Sequence, residues 1–369
     1  MPRLYIAAMT PRTDGARPVS NLQPMSQKLL SDLYKAYYSA RQHKRNTKNQ
    51  LAFEYNLCEN IHELYDAIRT ETYEPLQSIA FIVEEPVKRE VFAANFRDRV
   101  VHHWIFNHLN PVLDNRFIYD SYSCRKDKGT LFGIRRLEQN VRSCSENHRK
   151  PCYVMKMDIE GYFMRMNRKI LYQQLEQHFE KPHPHWKNVP VDLAKYLIRK
   201  TIFNDPTVDC RYNTPPHTWN GLPKSKSLFH ARPNCGLPIG NLTSQLFSNV
   251  YMSDFDHFVK HKLKCRYYGR YVDDFYILST SQEPEYYRYI RQEIDNYLHE
   301  HLELNLHPKK FYLQHYSKGI PFLGVVVYPY HTVVNRRNKA NYLRASPHKK
   351  QDYRGMFLHH NSYAILIAP

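Results

Sequence analysis

The sequence predicts an α+β fold in which an antiparallel sheet is backed by helices. Strand-like runs predict the sheet. In Arg270-Tyr271-Val272-Asp273-Asp274-Phe275-Tyr276-Ile277-Leu278 an acid pair sits between two groups of β-formers, which reads as a tight hairpin. Cys152-Tyr153-Val154-Met155-Lys156-Met157-Asp158 is a second such run. Alternation places Val154, Lys156 and Asp158 on one face, and Tyr153, Met155 and Met157 on the other. Apolar residues at helical spacing elsewhere predict the helices.

In chain order, residues 1–25 carry four prolines and read as a poorly ordered arm. Residues 26–70 read as two helices, one with Leu29, Leu30, Leu33 and Tyr37 on a face, the other marked by Leu51, Tyr55, Leu57, Ile61, Leu64 and Ile68. The basic link Arg41–Lys48 between them suits either a solvated loop or RNA contact. Ile79–Val83 and Arg89–Phe92 read as a hairpin with Glu84, Glu85 and Pro86 in its turn. A helix follows from Arg97. Helices are expected near 169–180 and 190–201, then a loop-rich insert containing Pro215, Pro216, Pro223 and Pro233. Gly236–Gly240 reads as a turn feeding a helix with Leu242, Leu246 and Val250 on one stripe. Residues 283–302 read as an amphipathic helix with Ser281 as its cap. His183 and His185 lack carboxylate or Cys neighbours and do not read as a metal site.

Lys+Arg is 53 against Asp+Glu 35, a net charge of +18 over 369 residues, the electrostatic footprint of a polyanion binder. No apolar run approaches the roughly 20 residues of a membrane span, so no membrane partner is expected. The N-terminus lacks a signal-peptide core. Seven scattered cysteines without a Cys-x-x-Cys argue against a zinc site and a disulfide scaffold, and fit a cytoplasmic location. Some of the thirty tyrosines are candidates for base stacking.

The acids give the chemistry. If the 152–158 strand lies beside the hairpin, Asp158 can face Asp273. Carboxylates at such an edge form the hard, oxygen-rich site that Mg²⁺ prefers, and two metals there can stabilise the attacking and leaving oxygens of a phosphoryl displacement. These two stretches resemble the palm of a reverse transcriptase. The resemblance extends to Gly236-Leu237-Pro238-Ile239-Gly240-Asn241-Leu242-Thr243-Ser244-Gln245 and to Phe322-Leu323-Gly324, and covers about residues 80–330. The Ile-Gly and Ser-Gln pairs are similar to those of diversity-generating retroelements.

That resemblance implies a right-hand polymerase fold, with an arm (1–25), fingers (26–95 and 170–232), a palm (96–169 and 233–329) and a short basic thumb or remnant (330–369). It implies Asp158, Asp273 and Asp274 as catalytic, with Ile159 joining them around two Mg²⁺ ions, for which Mn²⁺ can substitute. It implies a nucleotide site of Arg89, Lys88, Tyr162, Phe163, Ile239, Gly240, Gln245 and Lys310. Arg89 would grip the triphosphate, Phe163 would exclude a ribose 2′-hydroxyl, and Lys310 would approach the pyrophosphate. Primer and template would meet Arg125, Lys128, Tyr271, Phe322, Leu323, Gly324, Arg336 and Arg337. The implied partners are template RNA, the RNA–cDNA duplex, deoxynucleoside triphosphates and a small oligomeric helical accessory protein. The reading is error-prone cDNA synthesis. Retron, group II intron-like and defence-associated enzymes are the rivals, and from another class a catalytically idle RNA-binding scaffold.

Overall fold

The computed structural model describes residues 22–42, 46–85 and 87–362, with side chains from residue 27 onward. Most of the expected N-terminal arm, the middle of the basic link (43–45), Pro86 of the hairpin turn and the last residues of the expected thumb (363–369) lie outside the described residues. The chain divides into two compact units, Met1–Tyr73 and Glu74–Pro369.

The first unit holds α1 (Leu22–Arg41), α2 (Lys48–Tyr55) and α3 (Leu57–Arg69). Leu33, Ala36, Tyr37, Ile61, Leu64 and Ile68 form its core. One helix was expected where α2 and α3 lie. The break falls at Asn56 (φ −119°, ψ 49°), and Asn60 Nδ2 donates to the Phe53 carbonyl at 2.9 Å, satisfying an acceptor near the end of α2. α1 begins inside the expected arm.

The second unit opens with β1 (Ser78–Val83) and β2 (Arg89–Ala93), paired antiparallel with Val83 opposite Arg89. Then come α4 (Phe96–Leu113), α5 (Thr130–Cys144), β3 (Tyr153–Asp158), α6 (Tyr162–Arg165), α7 (Arg168–Glu180) and α8 (Val191–Phe203). The insert contributes β4 (Cys210–Tyr212), which joins β1 in parallel, and short 3₁₀ turns, one of them Lys224–Lys226. α9 (Leu242–His257) follows the glycine turn and is buried on most sides. β5 (Tyr267–Tyr271), β6 (Asp274–Ser279), α10 (Pro284–Leu302) and β7 (Tyr312–His315) come next. The chain then forms β8 (Ile320–Phe322), β9 (Val325–Val327), β10 (Thr332–Val334), α11 (Arg336–Arg344) and α12 (Pro347–His359).

The central sheet has the order β5-β6-β3-β7, antiparallel throughout. Alternation along β3 serves two cores. Val154 joins Tyr276 and Leu278 against Ile134, Leu137 and Val141 of α5. On the other face Phe275 meets Phe255 of α9 edge-on at 5.6 Å. Gly269 is required where the strands crowd: a Cβ there would overlap the hydroxyls of Tyr122 and Tyr276. The structure is thus the α+β sheet backed by helices that the sequence predicts. Ser281 is not the cap of α10. Glu283 holds that position, and its N–H reaches Ser281 Oγ at 3.3 Å. Among the described residues no helix is long and apolar enough to cross a membrane.

Candidate active site

The β5–β6 hairpin pairs Tyr271 with Asp274, leaving Val272 and Asp273 in the turn. Val272 has φ +57°, a left-handed conformation costly for a β-branched residue. Arg270 holds it there: Nη1 donates to the Val272 carbonyl at 2.9 Å. The rest of the guanidinium is bidentate on Asp256 of α9, with Nε and Nη2 each at 2.7 Å. Tyr268 donates to the same carboxylate at 2.6 Å. This pair lies wholly inside the protein, directly behind the turn.

In front of the turn, β3 brings Asp158 opposite Asp274. The cross-strand partner is therefore Asp274, not the expected Asp273, because the turn consumes Asp273. The Ile159 N–H still reaches the Asp273 carbonyl at 3.2 Å, so all three acidic residues stand at one end of the sheet. Two of them carry lysines. Lys310 Nζ lies 2.8 and 2.9 Å from the two oxygens of Asp158. Lys156 lies 2.9 Å from Asp274 and also donates to the Pro321 carbonyl at 2.8 Å. Burial, and then the neighbouring Asp158, push the Asp273 carboxyl up to about 6. Burial raises Asp274 too, against the pull of Lys156.

Among the described residues no three His, Cys, Asp or Glu side chains converge into a finished metal cage. The donor set nonetheless fits a hard divalent cation. It is all carboxylate oxygen, and Asp273 has the ionisation deficit that a bound cation would relieve.

The acids open into a cleft of about 700 Å³. Of the expected nucleotide residues, Lys88, Arg89, Tyr162, Phe163, Ile239 and Lys310 line it. Arg89 is exposed, and among the described residues its guanidinium has no partner. Tyr162 is buried and donates to the Ser248 carbonyl at 2.9 Å. Phe163 and Ile239 pack beside Ala80, Phe92, Met164 and Leu228. Gly240 is not in the cleft wall. Its φ of +115° turns the chain against β2, where a Cβ would strike Val91 at 2.6 Å, while Phe92 N donates to the Ile239 carbonyl at 2.9 Å. Gln245 sits on α9, exposed and outside the cleft lining.

Of the expected primer and template residues, Tyr271, Leu323, Gly324 and Arg337 line the cleft. Four do not. Arg125 is bidentate on Asp114 (2.7 and 3.2 Å) and also donates to the carbonyls of Ile118 and Ser121, so its guanidinium is committed to holding its own loop. Lys128 donates to the Tyr119 carbonyl and lies over the Tyr119 ring, and burial pushes its ammonium down to about 8. Phe322 is core, edge-on to Tyr276 at 5.3 Å. Arg336 is exposed at the start of α11. The sequence reading missed Lys156, although alternation had already placed it on the face of Asp158. It also missed Glu90, whose buried carboxylate no local pattern marks.

Residues 88–327, more than half of the chain, match the family described as reverse transcriptase (RNA-dependent DNA polymerase). Protein YkfC of Escherichia coli (strain K12) is 21% identical over 331 residues, covering 80% of this chain and 77% of that protein. Among solved structures, apo telomerase from Candida tropicalis, truncated from its C-terminal domain, is similar with a TM-score of 0.49 at 10% identity over 73% of this chain. Telomerase from Candida albicans in complex with a telomeric RNA fragment has a TM-score of 0.49 at 13% identity over 78% of this chain. The chain spans 58% and 50% of those two chains.

Proposed function

The chain belongs to the reverse transcriptase family, and from that premise we propose that it copies RNA into DNA by nucleotidyl transfer in the cleft of Asp158 and Asp273. The primer 3′-hydroxyl gives up its proton to water as its oxygen attacks the α-phosphate of a deoxynucleoside triphosphate. A bond from that oxygen to phosphorus forms, the bond to the bridging oxygen breaks, and pyrophosphate leaves. Asp158, Asp273 and the Ile159 carbonyl would hold divalent metal, with Asp274 in support. Mg²⁺ (or Mn²⁺) would supply charge neutralisation at the attacking and leaving oxygens. Arg89 offers a planar fork to the triphosphate. Lys310 stands on Asp158 and can turn its ammonium to the pyrophosphate. The Phe163 ring, backed by its apolar neighbours, would sit under the sugar and exclude a 2′-hydroxyl. Gly240 would shape the nucleotide site through its docking on β2. The observation that carries this reading is that Asp158, Asp273 and Asp274 line one cleft with Arg89, whose guanidinium has no partner among the described residues.

Within the family we favour error-prone copying of the diversity-generating kind. Ile239 supports it: its side chain offers the cleft only apolar contact, and discrimination weakens where few fixed polar contacts enforce it. The corresponding partners would be a structured template RNA and a small oligomeric helical accessory protein. Seven free cysteines suit a cytoplasmic site of action. One experiment tests both levels: primer extension on an RNA template, with the cDNA sequenced. Synthesis should need divalent metal and vanish in Asp158→Asn, and errors should concentrate opposite template adenines. Near-normal extension by the variant would refute the site. Equal, low error at all four bases would refute the subgroup and leave the polymerase.

A further inference from the structure

The loop-rich insert that follows α8, up to Cys235, supplies no group to the chemistry above, yet it reaches the cleft. It is fixed to the fingers hairpin by Glu90, the neighbour of Arg89 on β2. That carboxylate is 1% exposed and accepts three hydrogen bonds from the insert: Trp219 Nε1 at 2.7 Å, Ser227 Oγ at 2.8 Å and the Leu228 N–H at 2.5 Å. β4 adds main-chain pairing to β1, and Lys88 Nζ donates to the Asn220 carbonyl at 2.8 Å. A buried carboxylate satisfied in this way holds its donors firmly. Hairpin and insert therefore form one piece.

That piece presents the 3₁₀ turn Lys224–Lys226 to the cleft, where Ser225 and Lys226 share the wall with Arg89, Asp158 and Lys310. Gly161 permits the approach. It adopts φ +58°, and a Cβ there would stand 3.1 Å from the Ser225 carbonyl oxygen. Lys226 is exposed, and among the described residues its ammonium has no partner. Arg89 and Lys226 are thus two uncommitted cations on one rigid support, in the wall of a cleft that also holds three acids. Such a pairing of cations and carboxylates suits a nucleotide polyphosphate chelated to a divalent ion.

We propose that Lys226 binds the triphosphate of the incoming nucleotide, and that Glu90 positions it so that Lys226 and Arg89 close on that triphosphate together. The proposal rests on the polymerase reading. Its test uses the full chain on an RNA template with a dideoxy-terminated primer, so that no turnover occurs. Binding of dGTP and of dGMP is compared in the wild type, Lys226→Ala and Lys226→Arg. Lys226→Ala should weaken dGTP about tenfold, the scale of one charge-assisted phosphate contact, and leave dGMP unchanged. Lys226→Arg should restore most of the loss. With an extendable primer, KM for dGTP should rise by a similar factor while kcat stays within about threefold. Equal dGTP affinity in wild type and Lys226→Ala, or an equal loss for dGMP, would overturn the assignment. So would a wild type that binds dGTP no better than dGMP. A wild type that binds dGTP through Lys226 but never extends a primer would instead refute the polymerase reading. A wild type that extends normally beside a Lys226→Ala chain of unchanged affinity would refute only the role of Lys226.

Discussion

The two sides of the β5–β6 hairpin handle charge in opposite ways. Behind it, Arg270 and Asp256 are both 1% exposed and fully engaged with each other, Tyr268 and the Val272 carbonyl. In front, three residues along the same hairpin, Asp273 is crowded by Asp158 and ionises with difficulty. The rear pair leaves no electrostatic demand for a ligand to meet. The front acids leave one. The rear pair also holds Val272 at positive φ, so a satisfied charge maintains the backbone strain that presents an unsatisfied one.

The largest test of this contrast removes one rear partner. Asp256→Asn leaves the Arg270 guanidinium buried without its counter-charge and should cost about 3–5 kcal/mol in urea unfolding. Replacing both partners, as Arg270→Met with Asp256→Leu, should cost far less, because the loss comes mainly from stranding one charge. A single variant within about 1 kcal/mol of wild type would mean that the rear pair is not structural in this sense.

The next test removes a front acid. Asp273→Asn should lower primer extension by roughly 10²–10³-fold, the scale seen when one group stabilising a transition state is lost, without lowering stability. A variant that melts well below wild type would erase the distinction between the two sides.

Sequence and structure part company for reasons visible in the same residues. The hairpin is legible because β-formers flank the acids. The pairing of Asp158 with Asp274 is not, since it depends on a turn whose conformation a buried arginine maintains. Arg125 looks like a template contact because its partner Asp114 is eleven residues away and nothing local links them. The break between α2 and α3 escapes notice because apolar spacing continues across Asn56. Lys156 could have been found, since it shares a strand face with Asp158. Glu90 could not, because its three donors lie in a loop-rich insert far along the chain. Local patterning reaches the strands and the acids, while commitments between distant polar groups belong to the tertiary fold.

The smallest effect is one of pH, and its sign follows from the front side alone. An unfolded Asp titrates near 3.9, so about 3.9 is the reference for Asp273, which burial and Asp158 push up to about 6. Between those values the folded chain binds more protons than the unfolded one, so stability falls as pH rises. The contribution is fully present below about pH 4 and is lost as pH passes through about 6, a change of about 2–3 kcal/mol. Asp274, also raised, adds in the same direction. Asn cannot ionise, so Asp273→Asn escapes the Asp273 part of this penalty. In metal-free buffer the variant should match wild type near pH 4, pull ahead up to about pH 6, and keep a constant lead above that. Mg²⁺ added near pH 8 should close the gap by stabilising the wild type more than the variant, because cation binding offsets the repulsion that ionisation creates. Melting curves of both proteins across this range, with and without Mg²⁺, give the answer. A difference that does not change with pH would mean that the front acids are as well satisfied as the pair behind them, and the contrast between the two sides would fail.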